Sequence, residues 1–132
     1  MMGYDTVYIM EGGDDEIVAL SKEQERVILT RDRELTRRKG ADSYYVAGTG
    51  IGEQLADVAS FFRLRFREGE MRCSVCNGLL VVEGKGGAAG LVPEGVLERN
   101  EIFRKCSGCG KLYWKGTHWR RIMERIEGVL RG

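Results

Sequence analysis

The 132-residue sequence lacks any apolar run that approaches the roughly 18 residues needed for a membrane-spanning helix, so we expect no membrane partner. It also lacks a recognisable signal peptide, and its four cysteines are therefore expected to lie in a reducing compartment. In that setting, clustered thiols are usually metal ligands rather than disulfides. These absences predict a cytoplasmic protein. Its hydrophobic fraction of 42% is enough for a packed core and excludes a disordered tail.

A net charge of +1 indicates no particular partner, but the charges are unevenly distributed. Residues 1–20 contain five acids and no Lys or Arg, whereas residues 101–132 contain eight bases and three acids, a local net charge of +5. An acidic start and a basic end fit a carboxylate site near a nucleic-acid-binding surface. Ordinary solvated helix faces explain the same charges, and the charge pattern alone leaves both interpretations open.

The first half of the chain alternates between strand-like and helix-like segments. Short apolar runs predict three strands, at Tyr4–Ile9, Arg26–Thr30 and Ser43–Ala47. The second of these is continuously apolar, as is typical of a strand covered on both faces. Helices are predicted between them and after Gly52, the last with apolar positions that reach Phe66. Strands separated by helices predict a parallel sheet with flanking helices, in an α/β domain over residues 1–68.

The second half contains two Cys-x-x-Cys pairs, Cys73 with Cys76 and Cys106 with Cys109. Each pair can hold a tetrahedral ion from one side, so residues 69–132 are predicted to form a zinc ribbon followed by a C-terminal helix. Four thiolates leave no coordination position for a catalytic water, and we therefore expect one structural zinc ion per chain.

The sequence leaves two other interpretations of the cysteines open: a redox-active dithiol, and a metal site of three cysteines with His118. The gap between Cys76 and Cys106 exceeds the usual 15–20 residues of such sites. The glycine-rich residues 84–90 can absorb the extra length, and their small side chains predict a mobile loop.

A second cluster of chemistry-bearing residues is acidic. Asp32 follows a predicted strand and should lie at the carboxyl edge of the sheet, where open α/β folds bind ligands. A carboxylate there can hold Mg²⁺ or Mn²⁺, with Asp14 and Asp15 as candidate partners from the start of the first helix. Asp32 equally fits the N-cap of the helix that follows it. The glycine-rich turn 48–52 matches no phosphate-binding motif and is expected to be a plain turn.

Four segments, VILTRDREL, EQL, RCSVCNGLL and KCSGCGKLYWKGTHW, occur in an order and spacing that resemble the Mut-seven C-terminal ribonuclease family. The resemblance runs from about Gly3 to Trp119. It implies a PIN-like nuclease domain followed by a zinc ribbon, with the four cysteines as the ribbon ligands. It also implies that Asp32 is the strand-end metal-binding acid and that Asp15, with Asp14 beside it, supplies the acid of the neighbouring helix.

The chain departs from the family pattern at its start. Met1-Met2-Gly3-Tyr4-Asp5 stands where the family has an LGYD-like turn, after a first strand that contains the first catalytic Asp. Without that acid, nuclease activity is expected to be weak or absent. Without that strand, the neighbouring strands should pair with each other or with a second copy, which predicts a homo-oligomer through unpaired strand edges.

The combined expectation is a metal-dependent ribonuclease of PIN-like type whose ribbon helps to bind RNA. Basic side chains would contact phosphates, and aromatic rings would stack on bases. The predicted nucleic-acid-binding residues are Lys111, Trp114, Lys115, Arg120 and Arg121. A non-catalytic nucleic-acid-binding ribbon protein and a protein-interaction ribbon are the two alternatives.

Overall fold

A computed structural model describes residues 1–9 and 11–131, in two compact units. The α/β unit is Tyr8–Leu64, and the ribbon unit combines Met1–Val7 with the chain from Arg65 onward. Residues 1–7, which we expected in the first domain, thus group with the ribbon. Within the described residues, no helix is both long enough and apolar enough to span a bilayer.

The α/β unit contains a two-stranded parallel sheet and three helices. β1 pairs with β2 in a register that places Ile28 opposite Ser43, and Val18, Ile28 and Leu35 form its buried core. The predicted class, a small parallel sheet with helices between its strands, is therefore confirmed. The elements in chain order are α1 Asp14–Gln24, β1 Ile28–Thr30, α2 Arg33–Thr36, β2 Ser43–Tyr45 and α3 Ile51–Phe61.

One strand prediction is wrong, and a second is confirmed only in part. The described residues of Tyr4–Ile9 form no strand, because the start of the segment is held within the ribbon unit by side-chain hydrogen bonds of Tyr4 with the Arg65 N–H and of Asp5 with Asn77. The strand predicted over Arg26–Thr30 exists only as β1, and it is not covered on both faces, since Leu29 is 47% exposed. An apolar run shows that a segment can be buried, but not that its neighbours cover it.

The turn between β2 and α3 is held by a helix side chain. The Glu53 carboxylate accepts a hydrogen bond from the Thr49 N–H at 3.0 Å, as in a capping box. This agrees with the plain turn that we expected. α3 ends at Phe61 and does not reach Phe66, because Arg63 takes a left-handed conformation with φ of 52°.

The ribbon unit is built on an antiparallel sheet of three strands in the order β3-β4-β5. Its buried core contains Met71, Cys73, Cys106, Tyr113 and Trp119. The predicted C-terminal helix is present as α6, Thr117–Arg131, and it buries Trp119 and Ile126 as expected of an amphipathic helix. The elements, after a short 3₁₀ helix at Glu68–Glu70, are β3 Leu80–Glu83, α4 Lys85–Ala88, α5 Glu94–Arg99, β4 Phe103–Cys106, β5 Leu112–Tyr113 and α6 Thr117–Arg131.

The glycine-rich residues 84–90 are not the loop that their composition predicts. They contain the helical turn α4, in which Ala88 is completely buried. The small side chains explain the difference, because they let this turn pack closely on β3, where a Cβ atom on Gly87 would overlap the Glu83 carboxylate. Low side-chain mass here permits close packing rather than mobility.

The first residues of the chain are tied to the ribbon unit by a series of hydrogen bonds. The Arg67 N–H donates to the Met2 carbonyl at 3.0 Å, and the Asn77 side-chain amide donates to Asp5 at 2.7 Å. Gly3 lies between them at φ of 100°, and a Cβ atom on it would lie 2.5 Å from the Cβ of Arg67. Only glycine fits this position without a backbone shift.

Candidate metal centre

Four cysteine sulfur atoms converge at one end of the ribbon sheet. The Sγ atoms of Cys73, Cys76, Cys106 and Cys109 all lie within 4.8 Å of one another. Cys73 is 3.7 Å from Cys109 and Cys76 is 3.3 Å from Cys106 between sulfurs. A tetrahedral zinc with bonds of about 2.3 Å would place its sulfur ligands about 3.8 Å apart. The cluster therefore fits a four-coordinate metal ion such as zinc.

The two cysteine pairs lie on turns with the same backbone pattern. In each, the N–H of the first cysteine donates to the carbonyl five residues later, at 2.8 Å for Cys73 and 2.9 Å for Cys106. The fourth residue after that cysteine, Asn77 or Gly110, takes a left-handed conformation with φ of 65° or 79°. The repeated geometry explains why two short motifs far apart in the sequence present their thiols alike.

Backbone amides point at the sulfur atoms in both turns. Such N–H donors stabilise negative charge on a thiolate without adding a full positive charge. The donors and acceptors are Val75 N to Cys73, Gly78 N to Cys76, Gly108 N to Cys106 and Cys109 N to Cys106, at 3.3–3.4 Å.

Tyr113 on β5 is a further partner of the cluster that the sequence analysis did not assign to it. Its hydroxyl oxygen lies 3.1 Å from Cys73 Sγ and accepts a hydrogen bond from the Ser74 N–H at 3.1 Å. The Tyr113 oxygen can accept from this amide and also from the Ser74 hydroxyl, which is 3.0 Å away, and its own proton is then available to the sulfur. A hydrogen bond of this kind orients a ligand and tunes its basicity. No sequence motif around Tyr113, which lies two residues after Lys111, indicates this role.

The thiols do not ionise alike in the absence of a cation. Burial opposes ionisation of Cys73, but hydrogen bonds from Tyr113 and from the Cys76 and Val75 amides outweigh it and lower its pKa to about 6. At Cys109 the Lys111 amide favours the thiolate, yet burial and contacts with the other three cysteines prevail and raise the pKa to about 11. Four adjacent thiolates repel one another, so a bound dication is what makes full ionisation favourable.

The candidate catalytic acids lie in the α/β unit and are engaged locally. Asp32 is the N-cap of α2, where its carboxylate accepts a hydrogen bond from the Glu34 N–H at 2.9 Å. The Asp15 carboxylate forms an ion pair with Arg38. Asp14 is exposed at the start of α1. Among the described residues, only the four cysteines form a group of three or more metal-ligating side chains, so these acids are not gathered into one.

A scan against family models matches residues 1–126 to the Mut7-C RNAse domain. The chain belongs to this family. A search of the curated proteins found no match, nor did a search of the solved structures. The Mut7-C resemblance drawn from the four sequence segments is therefore confirmed, and the family is one of ribonucleases.

The predicted RNA-contacting residues of this Mut7-C domain surround β5 and the start of α6. Trp114 is half-buried against Phe103, with ring centroids 6.4 Å apart. Lys111 lies over the Tyr113 ring at 5.2 Å. The remaining predicted bases are exposed, namely Lys115, Arg120 and Arg121.

His118 is also exposed, on the first turn of α6, and it does not belong to the cysteine cluster. The arrangement of three cysteines with His118 is therefore not the one that the structure favours. Four thiols are close enough to complete the coordination sphere by themselves.

Proposed function

We propose that this Mut7-C domain is a PIN-like, metal-dependent ribonuclease of the cytoplasm, and that zinc holds together a ribbon that binds RNA. The observation that supports this most is the family match, which covers residues 1–126. The cysteine cluster and the basic residues of the ribbon unit support separate parts of the proposal.

The first part is a structural zinc ion, one per chain, bound by Cys73, Cys76, Cys106 and Cys109. The two most buried of these, Cys73 and Cys106, also belong to the core of the ribbon unit, so the ion would join the two turns through the core itself. Thiolates favour zinc over Mg²⁺ or Ca²⁺, and four of them leave no open position for substrate.

The second part is RNA binding by the ribbon. Residues 111–125 contain five bases and a single acid, and the bases are exposed. No ion pair within the described residues neutralises Lys111, Lys115, Arg120 or Arg121. Their charge is therefore available to phosphates, which dominate the affinity of proteins for nucleic acids.

The third part is cleavage supported by Mg²⁺ or Mn²⁺ at the acids Asp32, Asp15 and Asp14. A bound divalent ion activates water and neutralises the charge that develops on a phosphodiester. The described acids do not form a ready-made site. Asp32 is the strongest candidate among them, because it lies two residues after the end of β1 and its exposed carboxylate can accept hydrogen bonds or bind an ion beyond its contact with the Glu34 N–H.

Cleavage of a fluorescent single-stranded RNA with Mn²⁺ tests this proposal through Asp32→Asn. Asparagine is as good an N-cap as aspartate, so the substitution removes the charge and keeps α2 capped. We expect the rate to fall about 100-fold or more, because a metal ion contributes several kcal/mol to such reactions. Asp42→Asn, at an exposed acid of the same unit, is the matched control. Equal rates for Asp32→Asn and the control would show that Asp32 is not catalytic.

A second candidate function is RNA binding without cleavage. It is favoured by the engagement of Asp32 as an N-cap and of Asp15 with Arg38, which leaves no grouped acids among the described residues. The same assay separates the two functions. A chain that binds RNA but shows no cleavage with Mn²⁺ or Mg²⁺ would be a binding protein.

We also propose that the open edge of β1 pairs with a second copy of the chain. Ile28 and Thr30 form backbone hydrogen bonds to the β2 side, so the backbone groups of Leu29 point to the opposite edge. No described strand covers that edge, and the Leu29 side chain is half-exposed. Sedimentation should show a dimer that Leu29→Lys shifts toward monomer, since a charge on an edge strand opposes pairing. A monomer at every protein concentration would contradict this.

A further inference from the structure

A cavity of about 280 Å³ lies in the ribbon unit, between β5 and the start of α6. Its wall is mostly aromatic and aliphatic, with Tyr113, Trp114, Trp119 and Ile122 as the main contributors. Lys111 and His118 also border it. The cavity thus combines flat apolar surfaces with two side chains that can contact an anion.

The size of the cavity limits what it can bind. Small-molecule sites usually measure about 300–1,000 Å³, and this cavity, at about 280 Å³, is slightly smaller than that range. It has room for one ring system of nucleobase size, but not for a base pair or a dinucleotide cofactor. Aromatic rings are the surfaces on which proteins stack unpaired bases, with little preference among sequences.

The charge around the cavity identifies the class of ligand. Lys111 is at the wall, and Lys115, Arg120 and Arg121 are exposed on the adjoining turn and helix. None of the four has an ion-pair partner in the part of the chain that the structure describes. An apolar slot in a basic surface complements a flat base attached to a phosphate backbone.

We propose that this cavity is a subsite for one unpaired base of single-stranded RNA, stacked on Trp114, with Lys111 and His118 at the adjoining phosphate. The inference rests on the proposed function and goes further, because a subsite that admits a single base selects single strands over duplexes. In this proposal the cavity of the ribbon unit binds the base, and the basic residues contact the sugar-phosphate backbone of the RNA.

Intrinsic fluorescence tests the proposal directly, because both tryptophans of the chain line the cavity. Adenosine 5′-monophosphate, titrated into the zinc-loaded full chain, should quench the emission to saturation. Trp114→Ala should weaken the interaction about tenfold, as expected for the loss of one stacked base. Trp114→Phe should keep most of the affinity. Phe61→Ala, at an exposed aromatic of the α/β unit, is the control and should bind like the original chain.

Because Trp114→Ala could also disturb the ribbon, a second variant fills the cavity. Ile122→Phe adds volume to the wall and leaves every basic residue in place. Ile122→Phe should lower the affinity for the nucleotide. Its zinc content should stay the same, and this unchanged zinc content would show that the ribbon is folded. Full affinity in both Ile122→Phe and Trp114→Ala would overturn the subsite.

Comparison of octa-adenylate with an abasic oligonucleotide of the same length separates this inference from the proposed function. Tighter binding of octa-adenylate, lost in Ile122→Phe, supports the subsite. Equal binding of both would overturn the subsite and leave RNA binding by the basic residues intact. Quenching by the mononucleotide without binding of either oligonucleotide would support the subsite and contradict the proposed RNA-binding function. If the nucleotide causes no quenching, and both tryptophans are buried in a dimer of the chain, the cavity is not a binding site for a base and the subsite is overturned.

Discussion

Cys106→Ser is expected to release the metal ion and to unfold the ribbon unit. The Cys106 side chain is 2% exposed, belongs to the ribbon core and lies 3.3 Å from Cys76 between sulfurs. Structural zinc contributes about 10–16 kcal/mol of binding free energy in small zinc domains, as much as the whole net stability of about 5–15 kcal/mol of a typical domain. Replacement by serine removes one thiolate ligand from a four-ligand site.

Elemental analysis and tryptophan emission measure the two parts of this prediction. The original chain should contain one zinc ion, whereas Cys106→Ser should contain little and show the red-shifted emission of exposed indoles, because both tryptophans are in the ribbon unit. Ser107→Ala, at the exposed neighbouring residue, is the control and should keep its zinc. A zinc content near zero in the original chain, purified without chelator, would contradict the prediction.

Gly78→Ala should weaken metal binding although residue 78 is not a ligand. A Cβ atom there would lie 2.8 Å from Cys106 Sγ, 3.1 Å from the Gly108 nitrogen and 3.3 Å from Cys76 Sγ. These atoms are two ligands and the amide of the second turn, so the methyl group can be accommodated only if the cluster expands. Disturbing the immediate surroundings of a metal site typically costs about 10–100-fold in affinity, and we expect an effect of that size.

Competition with a chromophoric zinc chelator measures this loss. The matched control is Gly69→Ala, in the same unit, where a Cβ atom would meet nothing within 4 Å. The control should compete like the original chain and Gly78→Ala should release zinc at lower chelator concentration. If the two variants released zinc together, the close approach at Gly78 would have no bearing on the metal centre.

The cysteine cluster was predictable because the sequence signals that specify it are local. Cys-x-x-Cys followed by Asn77-Gly78 or Gly110 specifies a turn, its left-handed residue and both thiols within six positions. The helix cap at Asp32 was equally predictable from the sequence, because the Glu34 N–H that donates to its carboxylate is only two residues away. Such contacts depend on short spacings that any copy of the motif would repeat.

Contacts between distant parts of the chain could not be predicted in this way. The ion pair of Asp15 joins it to Arg38, 23 residues later, and nothing in either segment indicates the other. Asp5 reaches Asn77 across 72 residues, which draws the predicted strand at Tyr4–Ile9 away from any sheet. An apolar pattern shows that a segment needs burial, but the choice of partner depends on the whole fold.

The division of the ribbon unit between the two ends of the chain has a consequence for synthesis. Residues 1–7 are synthesised before their hydrogen-bonding partners, which begin at residue 65. At about 5–20 residues per second, the 57 residues of Tyr8–Leu64 take about 3–11 s to translate. The α/β unit can fold during that interval, before residues 1–7 can bind their partners in the ribbon unit. Zinc loading would follow, once the second cysteine pair has emerged.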